Sequence, residues 1–393
     1  MDEVWLKRGR ERSVYNRHPW VFSGAVHHLK GEPEPGDLVA VRDASGDTLG
    51  VGYYNPRSQI VVRLLAWEER DIDATFWRQR LQAAMARRER LAVDASTDCY
   101  RLAYAEADGL PGLVVDRYAD WLVLQALTLG IDRRKQELAV LLLELTGARG
   151  VYERSDVDVR PREGLDDVAG PLAGEPPPLA VQVRENGLLF EVDIAQGQKT
   201  GFYLDQRVNR QRVAAYSAGA RMLNVFSYTG GFAVYAGNAA AAVTNLDSSE
   251  QALAAARANW ALNGLPPEML SEIRGDAFVE LRRLRDRGEQ YDLVVLDPPK
   301  FAFSQAQVQS AARGYKDINM LGLRLLRPGG ILASFSCSGA IDEGLFLKIL
   351  HGAALDVGRE VRVLERLAQG PDHPLLLSFP EAAYLKGVIA EVT

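Results

Sequence analysis

A glycine pair, three isolated aspartates, a double proline and a cysteine set among serines are the residues of this chain whose types and order can do chemistry. The glycine pair closes Asn224-Val225-Phe226-Ser227-Tyr228-Thr229-Gly230-Gly231, after an apolar run that reads as a buried strand over Met222–Phe226. Glycine lets a backbone turn tightly and approach a ligand closely. A second run, Ala241–Leu246, leads into Asp247. An acid about 20 residues after a glycine turn can accept hydrogen bonds from the ribose hydroxyls of a nucleoside cofactor. It also suits the cap of a helix expected over Ser248–Asn263, and the two roles are compatible. Gly275-Asp276-Ala277-Phe278 offers a further acid beside an apolar ring, suited to an adenine amino group and its face, or by itself to a helix cap. A strand expected over Tyr291–Leu296 runs into Asp297-Pro298-Pro299-Lys300-Phe301. Two prolines stiffen that loop and remove two backbone donors, so its carbonyls can face a ligand.

In an open α/β sheet, ligands bind outside the carboxyl ends of the strands, so these strand ends define one candidate pocket. A nicotinamide dinucleotide is the natural rival occupant, but G-x-G-x-x-G does not follow the first strand, and a P-loop is missing too. The pattern therefore favours S-adenosylmethionine and methyl transfer. The candidate cofactor contacts are Asn224, Phe226, Ser227, Tyr228, Gly230, Asp247, Ser248, Asp276, Ala277 and Asp297. No metal site is expected.

Ser334-Phe335-Ser336-Cys337-Ser338-Gly339 follows another expected strand, Gly330–Phe335. A thiol at a strand end, among serines, suits a nucleophile. Carbon 5 of a pyrimidine is a poor nucleophile until a thiolate adds at C6, and a lone cysteine beside the cofactor meets that need. An inert small residue at 337 is the alternative. Asp297-Pro298-Pro299 with Phe301 also fits a loop that grips a base amino group, which would move the methyl to an exocyclic amine or a ring nitrogen. A non-catalytic RNA-binding assembly protein that keeps the fold is the remaining reading, and the intact acids and Cys337 argue against it.

The elements that must position these residues fall into three stretches. Short strands and turns fill the first ~66 residues, with Asp37–Val41, Thr48–Tyr54 and Gln59–Leu65 as strands. A helix is expected over Ala74–Leu91, then strands at Leu102–Ala105, Leu113–Asp116 and Trp121–Leu127, a helix near Asp132–Thr146, and a strand near Gly150–Arg154. Arg160–Pro178 reads as an exposed loop. From Leu188 onward strands alternate with helices, the signal of a parallel sheet. The expected domains are therefore 1–70, 71–185 and 186–393. The 393 residues include only two cysteines, Cys99 and Cys337, which leaves a disulfide framework or a four-cysteine zinc site without ligands and fits the reducing cytoplasm. No apolar run reaches the ~18 residues that span a bilayer, so no membrane partner is expected. A net charge of −6 argues mildly against a polyanionic partner, although a local basic face is enough to hold phosphates. Lys7, Arg8, Arg10, Arg12, Arg17 and His18 gather near the start, and Arg78, Arg80, Arg87, Arg88 and Arg90 lie along one expected helix. Each cluster reads most simply as a solvated face.

Several blocks carry a resemblance to a known family. They are His18-Pro19-Trp20-Val21-Phe22-Ser23-Gly24, Ala107-Asp108-Gly109-Leu110-Pro111-Gly112-Leu113, Lys199-Thr200-Gly201-Phe202-Tyr203-Leu204-Asp205-Gln206-Arg207, Asp297-Pro298-Pro299-Lys300-Phe301, Arg313-Gly314-Tyr315-Lys316-Asp317-Ile318-Asn319 and Phe335-Ser336-Cys337-Ser338. Together they span nearly the whole chain, which resembles the bacterial 23S ribosomal RNA cytosine-C5 methyltransferases. The resemblance implies an N-terminal PUA domain (an RNA-binding β-barrel), a small α+β middle domain and a C-terminal Rossmann-like methyltransferase domain. It implies 23S ribosomal RNA as partner, Cys337 as nucleophile, and a homodimer as a reasonable assembly. The wider group of RNA cytosine-C5 methyltransferases carries a second cysteine after the double proline, where this chain has Lys300, so the group assisting product release is unassigned. Asp297 is the candidate for orienting the base or taking its proton. Lys199, Tyr203, Arg207, Pro298, Lys300 and Phe301 are the candidate RNA contacts.

Overall fold

The computed structural model describes residues 1–90 and 96–393. Its contacts divide into two units. The first holds Met1–Asn186, Val192–Leu204 and Pro371–Ala382, and the second holds Gly187–Glu191, Asp205–Gly370 and Ala383–Thr393. The expected 1–70 and 71–185 stretches thus share one unit, and two segments from beyond residue 186 join them.

The first unit opens with a six-stranded sheet of β1 (Asp2–Leu6), β2 (Trp20–Phe22), β3 (Val26–Lys30), β4 (Leu38–Arg42), β5 (Thr48–Tyr54) and β6 (Ile60–Ala66), with the short helix α1 (Arg12–Tyr15) after β1. The order is β2-β6-β5-β4-β1-β3, antiparallel except where β1 runs beside β4. Val4, Val39, Val41, Val62 and Leu64 alternate inward to fill its core, as the two-residue period of a strand requires.

Helix α2 (Ala74–Arg90) leads to a five-stranded sheet of β7 (Cys99–Tyr104), β8 (Leu113–Tyr118), β9 (Trp121–Ala126), β10 (Gly150–Arg154) and β11 (Ala169–Gly174), in the order β11-β10-β9-β8-β7. Two helices, α3 (Leu129–Asp132) and α4 (Lys135–Thr146), lie between β9 and β10 in the chain, and β12 (Val181–Glu185) follows β11. Leu91, in the helix expected over Ala74–Leu91, lies outside the described residues.

Two sequence expectations change here, and buried, paired charge enters both. Arg88 is not on a solvated face. It is 1% exposed, and its guanidinium donates to Asp108 and to the carbonyls of Arg101 and Asp372. Arg160–Pro178 is largely exposed, as expected, but it is not loop throughout. It contains a 3-10 turn, Arg160–Glu163, and then β11. Glu163 reaches back to the first sheet, where its carboxylate accepts from Arg63 at 2.6 Å, Ser58 at 2.7 Å and Asn55 at 2.9 Å.

In the second unit, β13 (Leu188–Val192, of which 188–191 belong here) precedes α5 (Arg207–Ala214), and the alternation that follows is regular. It runs β14 (Arg221–Val225), α6 (Gly231–Ala236), β15 (Ala242–Asp247), α7 (Glu250–Leu262), β16 (Leu270–Arg274), α8 (Ala277–Asp286) and β17 (Tyr291–Leu296). It continues with α9 (Val308–Leu325), β18 (Leu326–Ser336), α10 (Glu343–Val357), β19 (Val361–Ala368) and β20 (Lys386–Val392). The seven strands take the order β16-β15-β14-β17-β18-β20-β19. Those from β14 to β18 are parallel, and β20 runs antiparallel between β18 and β19. The central strands are apolar on both faces because helices cover both, and Leu223, Val225, Val294 and Leu296 are fully buried. The order reverses between β14 and β17, the switch point at which a doubly wound sheet opens a crevice. Among the described residues no helix is long and apolar enough to cross a membrane.

Removing one partner of a buried ion pair strands the other, at about 3–5 kcal/mol. Glu163→Ala leaves Arg63, Ser58 and Asn55 without their shared acceptor, so it is expected to lower unfolding stability by about that amount. Arg257→Ala, which breaks the exposed pair with Glu272, should change it by under about 1 kcal/mol. Chemical denaturation of the two variants measures the difference.

Candidate cofactor and catalytic site

The site residues of the second unit sit at or just beyond the carboxyl ends of β14, β15, β16, β17 and β18. Strand β14 stops at Val225, one residue earlier than expected, because the chain turns left-handed at once. Phe226 has φ 59°, Tyr228 φ 45° and Gly230 φ 78°. At Gly230 a side chain would also collide, since a Cβ there would lie 2.9 Å from Ala256 Cβ. Left-handed non-glycine residues cost about 1–3 kcal/mol each and persist only where surroundings hold them. Asp247 holds this turn, its Oδ2 accepting the Tyr228 backbone N–H at 2.9 Å. Its Oδ1 accepts from Ser249 N at 3.0 Å.

The expected cap of the following helix is therefore corrected. The helix begins at Glu250 and is capped by Ser249, whose hydroxyl accepts from Ala252 N. Asp247 is thus occupied by the glycine turn, and Ser248 lies exposed between them. Each carboxylate oxygen of Asp247 takes one backbone donor and keeps acceptor capacity for a ligand. Ser227 Oγ and Thr229 Oγ1 are buried in the same turn with no hydrogen-bond partner among the described residues. Buried hydroxyls without partners cost free energy that a polar ligand can recover, so the turn fits a hydroxyl-rich cofactor. Asn224 is turned into the sheet, its amide donating to Asn245 Oδ1 at 2.9 Å.

Asp276 does cap a helix, accepting from Val279 N at 3.0 Å at the start of α8. Ala277 behind it is buried. Phe278 packs at 6.1 Å on Phe301, which in turn lies 4.7 Å from Tyr315, so the ring beside the acid joins an aromatic row. Asp297, one residue past β17, accepts from Gln206 Nε2 at 3.0 Å, and Gln206 Oε1 accepts from Asn209 at 2.6 Å. Gln206 and Asn209 were not singled out from the sequence. Gln206 lies inside the Lys199–Arg207 block, but its aim at Asp297 follows only from the fold. Pro298 is buried, whereas Lys300 is exposed and lies 5.2 Å from the Phe303 ring.

Cys337 follows β18 directly and is half-buried, unlike the fully buried Cys99. The residues around it are fixed by hydrogen bonds. Ser338 Oγ is 3.0 Å from the Tyr315 hydroxyl and accepts from Ala302 N, while Ser334 donates to Asn319. Lys386, which begins β20, donates to the carbonyls of Ser338 and Ile341 at 2.8 and 2.7 Å. Burial pushes its ammonium down to about 8. Burial also raises the Tyr315 phenol, which stays neutral. Arg207 starts α5 in this unit and is buried. Lys199 and Tyr203 belong to the first unit, where the Lys199 ammonium sits 4.3 Å from the Tyr203 ring centre and Lys199 has φ 53°.

Residues 117–389 match the family described as S-adenosylmethionine-dependent methyltransferase, and residues 4–67 match a PUA-like domain. A protein of Photobacterium profundum named ribosomal RNA large subunit methyltransferase I is 48% identical over 387 residues, covering 98% of each chain. One of the same name from Shewanella denitrificans is 48% identical over 393 residues, 99% of each chain. In fold, the chain superposes with TM-score 0.87, at 21% identity and full coverage of both chains, on a crystal structure described as a methyltransferase complexed with SAH. A SAM-dependent methyltransferase from Streptococcus mutans gives TM-score 0.85 at the same identity. The chain belongs to the S-adenosylmethionine-dependent methyltransferase family, in the group of the ribosomal RNA large subunit methyltransferase I proteins, and S-adenosylmethionine is its cofactor.

Proposed function

We propose that this enzyme forms 5-methylcytidine in 23S ribosomal RNA, with Cys337 as the nucleophile. The observation that carries this reading is the position of Cys337. It is half-buried just after β18, the strand paired with β17 in the register Leu296↔Ser334, so it follows the neighbour of the strand that leads into Asp297. Relatives named for ribosomal RNA support the substrate class. The first sheet adds a surface suited to it, since Lys7, Arg8, Arg10, Arg12 and Arg17 are exposed beside Tyr15 and Phe22, 57% and 47% exposed. Cations hold phosphates, and exposed rings stack on unpaired bases.

The residues take the following roles. Asp247 accepts the ribose hydroxyls, and the backbone of Phe226–Gly230 with Ser227 lines the same cofactor. Asp276 and Ala277 face the adenine. Bound there, S-adenosylmethionine supplies a methyl group activated by its sulfonium. The Cys337 thiolate adds to C6 of a cytosine unstacked into the pocket, and the electron pair of the C5–C6 bond makes C5 the methyl acceptor. Loss of the C5 proton then restores the double bond and expels the thiolate. Asp297, aimed by Gln206, orients the base amino group or takes that proton. Phe301 and Pro298 pack against the base. Lys300, Arg207, Lys199 and Tyr203 contact the RNA.

Two outcomes test this. Labelled methyl transfer to unmodified 23S ribosomal RNA, followed by nucleoside analysis, should give 5-methylcytidine, and Cys337→Ala should cut the rate by about 10⁴-fold or more. A methylated amine or a methylated purine, or an undiminished rate in that variant, would rule the thiolate route out. Hydrogen bonds to a charged group are worth about 1.5–3 kcal/mol. Asp247→Ala should therefore weaken cofactor binding by about tenfold to a hundredfold in a calorimetric titration.

A further inference from the structure

We propose that Lys386 is a positioning residue for the reaction, the cation that keeps the Cys337 sulfur as a thiolate. This rests on the reading of Cys337 as nucleophile, and it concerns how that sulfur is made reactive.

The fold brings the two together. Strand β20 runs antiparallel to β18 in the register Ser336↔Lys386, so the first residue of one strand lies across from the last residue of the other, next to Cys337. Lys386 is only 9% exposed, and a lysine is seldom so buried without a task for its charge. Its ammonium donates to the carbonyls of Ser338 and Ile341, one and four residues after the cysteine. An ammonium has three donors. Two of them tie the 338–341 loop to β20, and the charge remains beside the thiol.

The charged and titratable groups around Lys386 agree with this. Burial in the protein disfavours the ammonium, whereas the charge of Cys337 and that of Asp342 favour it, and Lys300 opposes it. Tyr315 on α9 also interacts with Cys337, but burial holds its phenol neutral. The ammonium thus lies within electrostatic reach of Cys337 and Asp342, which favour its charge, and of Lys300, which opposes it. Asp342 is already engaged as the cap of α10, accepting from Leu345 N at 2.7 Å. A nearby ammonium lowers the pKa of a thiol and makes it reactive near neutral pH. The thiol proton leaves to solvent, and the sulfur keeps the electron pair opposite the fixed charge.

The test reads the sulfur directly, without RNA. In a Cys99→Ser background, the rate of alkylation of Cys337 by iodoacetamide is followed against pH. The parent should show a midpoint below the ordinary thiol value of about 8.5. Lys386→Met should raise that midpoint by about one unit or more and slow alkylation at pH 7 about tenfold. Cofactor affinity in Lys386→Met should stay within about threefold of the parent, which shows that the fold survives. Lys386→Gln, whose amide can still donate to one of the carbonyls, should shift the midpoint in the same direction if the Met variant does not fold. In methyl transfer, the acid limb of the kcat/KM profile should follow the thiol midpoint while KM for the cofactor is unchanged. A folded Lys386 variant with an unshifted alkylation midpoint would overturn the proposal. An active Cys337→Ala enzyme would instead overturn the nucleophile assignment, and the alkylation profile would still report separately on Lys386.

Discussion

The hydrogen bond from the Tyr228 backbone to the Asp247 carboxylate is the contact on which the site depends. Two non-glycine residues, Phe226 and Tyr228, are held left-handed immediately after β14. Each such residue disfavours the turn by about 1–3 kcal/mol. A charge-assisted bond from a partly buried carboxylate contributes about 1.5–3 kcal/mol, enough to offset one of them, and the close packing of Gly230 on Ala256 fixes the rest of the path. Without Asp247 the Tyr228 N–H loses its carboxylate acceptor, and the left-handed turn that carries Ser227 and Thr229 loses that support. The acid that suits a ribose is therefore also the strut that shapes the turn beside it.

From that turn the sheet order does the rest. Because the strands on either side of β14 are β15 and β17, the residues after all three strands open on one edge. Parallel pairing of β17 with β18 adds the end of β18 to that edge, and antiparallel β20 returns the chain there at Lys386. A parallel final strand would have left Lys386 at the opposite end of the sheet. The reversal of one strand therefore brings residue 386 beside residue 337.

Much of this was legible in the sequence because strand ends carry the chemistry in this kind of sheet. The apolar runs before Asp247 and Asp297 were bounded to within a residue or two, since a fully buried parallel strand reads as an unbroken apolar run. What was not legible depends on long-range pairing. Gln206 looks like any polar residue until α5 brings it to Asp297. Arg88 sits in a stretch rich in arginine, and its buried partners come from residues 101, 108 and 372. Glu163 lies in a Pro/Gly-rich segment that resembles a loop, and only the partners at 55, 58 and 63 mark it as core. Composition records that a residue is charged but not whether its counter-charge is nearby.

Lys386 joins these two kinds of information. A buried ammonium must find acceptors, because desolvation of an unpaired charge costs far more than a hydrogen bond returns. The carbonyls that satisfy it belong to the loop carrying the cysteine, so the bonds that make the lysine tolerable also fix the thiol beside it. Had Lys386 been paired with a carboxylate instead, the burial would have been satisfied but the positive charge would have been neutralised. Carbonyl oxygens solvate the cation and leave its charge intact. The choice of neutral acceptors separates a structural lysine from one able to act on a neighbouring sulfur.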